Sequence, residues 1–266
     1  MRTIRQYVQF RYLLSELVKK EIKLRYKRSV LGLLWSLLQP ILMMAVFTVV
    51  FTFIPKLANL NVPFYAFFLT GYLPWIFFAT AVSNSHTSII ANSALVKQVY
   101  FPRQLLPLAS CLSNLVHFLL ALGLWILYVL IVFGYPGPQI LLLPVAVGIQ
   151  LLFIAGIALI LSSMNVFFRD VGQILEVFLT FLFYLTPVFY TYSILDEYLP
   201  AKYRFIAQLL EYNPLAQFVM LYRALLLKGF EIRPFMILYP LGFSIVLLAV
   251  GHLYFKRTSA TFAKEL

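Results

Sequence analysis

Residues 105–133 read LLPLASCLSNLVHFLLALGLWILYVLIVF, a run from Leu105 to Phe133 without one Asp, Glu, Lys or Arg. A helix rises 1.5 Å per residue, so this run exceeds the ~20 residues that cross a hydrocarbon layer roughly 30 Å thick. It has no charged face to turn toward water, and its solvent is therefore lipid. Five further stretches repeat the pattern on either side: Leu33 to Ile54, Val62 to Ser83, Gln139 to Leu161, Gln173 to Tyr192 and Phe235 to Phe255. A transmembrane barrel would alternate apolar and polar residues over strands of about ten residues, whereas these runs are apolar on every side. With 62% hydrophobic residues and 11% charged ones, the whole composition agrees.

A net charge of +12 could suggest nucleic acid, but the positions of the charges argue for a membrane protein that binds none. Arg2, Arg5, Arg11, Lys19, Lys20, Lys23, Arg25, Lys27 and Arg28 precede the first span. Lys97 and Arg103 fall between spans two and three, Arg169 between four and five, and Lys256, Arg257 and Lys264 after the sixth. The positive-inside rule makes these segments, and both termini, cytoplasmic. On the other side, Lys56 stands alone in the short loops; Lys202, Arg204, Arg223, Lys228 and Arg233 share a long segment with Asp196, Glu197, Glu211 and Glu231. The basic first 28 residues exceed the n-region of a cleavable signal, and no small-residue cleavage site follows the first span.

From Ile4 to Arg25, Phe10, Leu13, Leu14, Leu17 and Val18 recur at helical spacing opposite a stripe of Glu16, Lys19, Lys20, Lys23 and Lys27, as in a helix lying on a membrane surface. Glu16 and Lys20 are spaced for an i,i+4 ion pair. The stretch from Thr191 to Pro234 carries apolar pieces, Phe205 to Leu210 and Leu215 to Leu227, too short or too charged to span alone. Two short re-entrant helices meeting at Asn213-Pro214 suit it, and an exposed cap is the other reading. The expected fold is thus all-α and integral to the membrane, one domain over 1–266. It has an amphipathic interface helix within 1–29, six transmembrane helices over 33–255, a gate region at 191–234 and a tail at 256–266. Pro40, Pro74, Pro144, Pro187 and Pro240 lie in or near spans, where they shape helices or hinge them.

Cys111 is the sole cysteine, and His86, His117 and His252 lack metal-ligand spacing, so no metal site is expected. No Gly-x-x-x-x-Gly-Lys-Ser/Thr loop occurs to cradle ATP phosphates. No cofactor is expected on this chain, and nucleotide would sit on another subunit.

The run Leu17-Val-Lys-Lys-Glu-Ile-Lys-Leu-Arg-Tyr-Lys-Arg-Ser-Val-Leu-Gly-Leu-Leu-Trp35, continuing to Gln39-Pro40, resembles the start of type-2 ABC exporter permeases for O-antigen, capsule and teichoic-acid polymers. Leu95-Val-Lys-Gln-Val-Tyr-Phe-Pro-Arg103, and Asn213-Pro214 followed by Tyr222-Arg223, are similar to that family as well. The resemblance implies a homodimer clasped by two copies of an ABC ATPase that binds ATP and Mg, in a bacterial cytoplasmic membrane, with a lipid-linked glycan as substrate. It also implies that this chain is a transport permease rather than an enzyme.

The same resemblance assigns parts. Leu95, Val96, Lys97, Gln98, Tyr100, Phe101, Pro102 and Arg103 would form the coupling element that docks on the ATPase. An ordinary loop whose basic residues merely set topology is the other reading. Glu16, Lys20, Lys23, Arg25, Tyr26, Lys27, Arg28 and Ser29 would form the cytoplasmic interface and entrance. Their cations suit either anionic headgroups or the pyrophosphate of a polyprenyl-linked glycan. Trp35, Tyr72, Trp75, Glu176, Phe178, Phe181, Tyr184 and Tyr190 would line the translocation path, since aromatic faces let sugar C–H surfaces slide. Lipid-facing packing is the alternative for each aromatic. An ion pair of Glu176 with Arg169, or with a basic residue of a second subunit, is the alternative for that acid. Asn213, Pro214, Tyr222 and Arg223 would belong to the extracytoplasmic gate. A drug or small-lipid cargo on the same architecture remains open; a membrane glycosyl- or phosphotransferase would need clustered acids that the chain lacks.

Overall fold

The computed structural model describes residues 10–27, 32–52, 62–192 and 210–266, and within them every regular element is helical. In chain order these are α1 (Arg11–Tyr26), α2 (Trp35–Thr52), α3 (Phe64–Ser85), α4 (Ser88–Ala91), α5 (Ser93–Gln98), α6 (Leu105–Val132), α7 (Leu143–Phe167), α8 (Val171–Leu185), α9 (Pro214–Leu226), α10 (Phe235–Thr258) and α11 (Phe262–Glu265). Short 3-10 turns at Gly32–Leu34 and Pro138–Leu142 lead into α2 and α7. Among the described residues, four helices are long and apolar enough to cross a membrane: Phe64–Ser85, Leu105–Val132, Pro138–Phe167 and Phe235–Thr258. Leu38–Val50, Val171–Leu185 and Pro214–Leu226 are shorter apolar helices. The start of the interface helix, Arg28, Ser29, the end of the first apolar run and all of the expected piece Phe205 to Leu210 except Leu210 fall outside the described residues.

One boundary departs from expectation for a steric reason. The apolar run from Gln173 to Tyr192 does not continue as helix, because α8 stops at Leu185 and Thr186 turns extended (φ −99°, ψ 132°). Thr186 precedes Pro187, and the proline ring disfavours helical geometry in the residue before it. By contrast, Pro40, Pro74 and Pro240 lie within α2, α3 and α10, which continue through them. Pro144 sits in the first turn of α7, where an N–H would lack an intrahelical partner anyway.

Side chains gather in two cores. The larger joins α3, α6, α7 and α9, with Phe68, Phe77, Phe118, Phe153, Phe218 and Tyr222 buried in it. The smaller joins Leu17, Ile89, Val96, Phe101, Phe255 and Phe262. It brings α1, the segment 88–106 and the C-terminal residues to one end of the bundle, so three basic segments distant in sequence meet there. On α1 the apolar stripe is buried or half-buried and the charged stripe exposed, as the spacing predicts. The expected Glu16–Lys20 pair does not form. Lys19 Nζ takes Glu16 at 2.8 Å, while Lys20 Nζ donates to Asn92 Oδ1 at 2.6 Å, an acceptor on a buried residue that the junction of α4 and α5 supplies from outside the helix.

Candidate functional site

At the basic end, α4 and α5 make a knuckle that closes with an extended turn over 99–104. Leucine and valine spacing directs Val96 into the smaller core, and Phe101 follows it, 5% exposed. Both stood among the expected docking residues, and both face inward. Tyr100, which lies between the two, is 99% exposed, with Lys97 and Gln98 also outward. Leu95, Pro102 and Arg103 are half-buried. Arg103 Nη1 donates to the Ser259 carbonyl oxygen, tying the turn to the end of α10. Lys20 braces the other side through Asn92. The knuckle is therefore held at both flanks and presents one aromatic tip.

The end of α1 carries Arg25 to the body of the bundle. Arg25 Nη1 donates to Asn114 Oδ1 at 2.9 Å, and the same oxygen accepts from Asn84 Nδ2 at 3.0 Å. Asn114 Nδ2 is engaged by the Ser110 carbonyl at 2.8 Å, which fixes the amide's orientation. Arg25, Trp35, Gln39, Thr80, Asn114 and His117 form the polar part of a cavity of about 270 Å³. Lys23 and Lys27 are exposed, and α1 reaches Tyr26.

The residues expected to line a path divide between two environments. Phe178, Phe181 and Tyr184 are 56%, 65% and 61% exposed along one stripe of α8. Gln173, Glu176 and Thr180 form a polar stripe beside it, also exposed. Tyr72 and Trp75 are instead buried, with ring centroids 6.3 and 5.5 Å from that of Phe183 on the inner side of α8. Trp35 lies on the Arg25 cavity, and Tyr190 donates its hydroxyl to the Tyr184 carbonyl oxygen at 3.0 Å. Glu176 makes no ion pair with Arg169; the ion pair among the described residues is Lys19–Glu16.

The residues expected at the gate join α9 to the end of α8. Asn213 caps α9, its Oδ1 accepting from Leu215 N at 3.0 Å, with Pro214 in the first helical turn. Its Nδ2 donates to Thr186 Oγ1 at 3.2 Å, joining α9 to the end of α8. Asn213→Ala is expected to cost about 1–2 kcal/mol, read as a lower melting midpoint of the purified chain, with Asn213→Asp retaining most of the cap. The exposed-cap alternative does not describe α9, most of whose residues, Tyr222 and Arg223 among them, are buried. Tyr222 is fully buried, edge-on to Phe118 at 5.9 Å. Arg223 is 2% exposed and donates to the carbonyl oxygens of Pro187 at 2.7 Å, Val188 at 2.6 Å and Phe67 at 3.3 Å. Its guanidinium carbon stands 3.5 Å from the centroid of the Phe67 ring. Charged hydrogen bonds and the ring face together replace the water that a buried cation loses.

Sequence reasoning missed Asn92, Asn114 and Phe183. The two asparagines are neutral and carry no motif, although an amide inside the uncharged run from Leu105 to Phe133 was itself a signal of a tertiary partner. Comparisons with known proteins identify the family. The model of the family described as ABC-2 type transporter matches residues 12–227. The chain is 34% identical to an O-antigen export system permease protein RfbA of Klebsiella pneumoniae, covering 96% of this chain and 95% of that one. It is also 34% identical to the RfbA of Myxococcus xanthus over the full length of both. The polysialic acid transport protein KpsM of Escherichia coli is 25% identical over 87% of this chain and 88% of its own. With four helices among the described residues long and apolar enough to cross a membrane, a matched model over most of its length and relatives along all of it, the chain belongs to the ABC-2 type transporter family.

Proposed function

We propose that this chain is the permease half of an ATP-driven exporter that carries a polyprenyl-pyrophosphate-linked polysaccharide, of O-antigen type, across the bacterial inner membrane. In this reading α2 and α8 count as the first and fifth of six crossings, both termini are cytoplasmic, and two copies pair. A separate ATPase subunit on each copy binds ATP and Mg. The relatives' names support a polysaccharide cargo. The exposed stripes of α8 support a wet corridor between copies, because an exposed Glu176 facing hydrocarbon would be costly.

The observation that carries the reading is the braced knuckle with Tyr100 at its tip. Force reaches the bundle only through a rigid contact, and the bonds from Lys20 and Arg103 supply that rigidity. An exposed aromatic beside a proline turn has the character of an interface anchor, whose truncation costs about 2 kcal/mol or more. Tyr100→Ala is therefore expected to weaken co-purification of the ATPase subunit at least about tenfold and to stop glycan from reaching the cell surface, with the melting midpoint unchanged. Undiminished assembly and export in that variant would remove the docking role.

A further inference from the structure

Beyond the transport cycle, the cavity at Arg25 continues into a second, apolar one. The second cavity, of about 350 Å³, shares Pro40, Leu73 and Ala121 with the first and extends between α2, α3 and α6 to Tyr65 and Tyr128. From Asn114 to Tyr128 the axis of α6 rises about 21 Å, past the middle of a hydrocarbon layer about 30 Å thick. Leu73, Phe77, Phe118 and Trp125 are buried and make the floor; Trp35, Ile41 and Leu124 are about half exposed and make the lips. The groove therefore has one charged end and a long greasy body.

The charge of the end is specific. Arg25 is the one charged residue among the described residues lining either cavity. Asn114, a neutral acceptor, holds one of its nitrogens. Glu21, one turn earlier on α1, makes no ion pair with it. The guanidinium is thus oriented without being neutralised, and Gln39, Thr80 and His117 stand beside it with further hydrogen-bonding groups. This guanidinium matches the single charge of a phosphodiester.

We infer that the groove between α2, α3 and α6 is a binding site for one anionic membrane phospholipid, its phosphodiester at Arg25 and one acyl chain lying along Leu73, Ala121 and Trp125. The site makes the headgroup reading of the basic turn a defined contact, and it stands whatever cargo the exporter carries.

The chain holds three tryptophans, of which Trp35 and Trp125 line the groove and Trp75 does not. The full chain would be reconstituted in vesicles containing dibrominated phosphatidylglycerol or dibrominated phosphatidylcholine, whose bromines quench indole fluorescence on contact. The anionic lipid is expected to quench about fivefold more strongly per molecule, the factor for one Arg–phosphate contact near a membrane surface. Arg25→Gln keeps a donor for Asn114 and should abolish the preference, leaving quenching by phosphatidylcholine unchanged as the sign of an intact fold. In Trp35→Phe/Trp125→Phe the selective component should vanish. Equal quenching by the two lipids, or a preference that survives Arg25→Gln, would overturn the site. So would displacement of the brominated anionic lipid by an equimolar polyprenyl pyrophosphate, which would assign the groove to the cargo's carrier. Absence of quenching by either lipid would mean that a second copy covers the groove, and would also overturn it.

Discussion

Arg223→Met is expected to cost about 3–5 kcal/mol and to leave little folded chain in detergent, read as a collapse of the monodisperse peak and of the melting midpoint. Methionine fills much of the same volume, so the loss comes from hydrogen bonding and charge rather than from a hole. The Pro187 and Val188 carbonyls lie just beyond the helix that Thr186 ends, and they take the guanidinium as donor at 2.7 and 2.6 Å. Without it, buried acceptors keep the full cost of leaving water. Arg223→Lys retains the charge but has no planar fork to serve carbonyls on two elements, and should recover less than half of the loss. A second variant locates the effect. A Cβ added to Gly71 would stand 2.7 Å from Arg223 Nη2 and 3.0 Å from Val219 Cγ1, so Gly71→Ala should destabilise the wild-type chain. In the Arg223→Met background most of that cost should disappear, since the atom chiefly obstructed is gone. If Arg223→Met melts with the wild type, or if the two costs simply add, the buried clamp is not what holds the end of α8.

That clamp marks where the sequence stops being readable. The long spans were legible because hydropathy over a window of about 20 residues depends on no partner, and Leu105 to Phe133 was recovered to within a residue. The end of α8 was lost because the same window averages over Pro187, whose effect is steric and acts on one neighbour. For Arg223 the sequence leaves open re-entrant helices and an exposed cap, because a charge interrupting an apolar stretch normally marks water. What brings it inside is a set of carbonyls from residues 67, 187 and 188, and a glycine at 71 that leaves room, none of them near it in sequence. The basic end shows the same division. Its charges were readable one segment at a time, whereas Lys20 choosing Asn92 over Glu16, and Phe101 turning inward while Tyr100 turns out, depend on contacts between segments.

Gly251→Leu is expected to be nearly as damaging, about 3 kcal/mol, for a reason no side-chain rearrangement can relieve. A Cβ at Gly251 would stand 2.5 Å from the Gly156 carbonyl oxygen, and one at Gly156 would stand 2.8 Å from the backbone of Leu247 and Leu248. Backbone meets backbone here, the close crossing that small residues permit between membrane helices. The crossing matters because α10 is attached by one stripe: Met236, Pro240, Ser244, Gly251 and Phe255 are buried, and much of its remaining surface is exposed. Prising α10 from α7 would also withdraw Phe255 and the Ser259 carbonyl, the latter being the acceptor that holds Arg103 beside the Tyr100 knuckle. The variant should therefore lose ATPase association as well as stability, whereas Tyr100→Ala loses association alone. Gly251→Ala should fall between wild type and leucine in melting midpoint, and hydrogen exchange at 99–104 should quicken in step. If Gly251→Leu keeps both the wild-type midpoint and the wild-type exchange rates over that turn, the crossing is looser than described and the knuckle is braced by something other than α10.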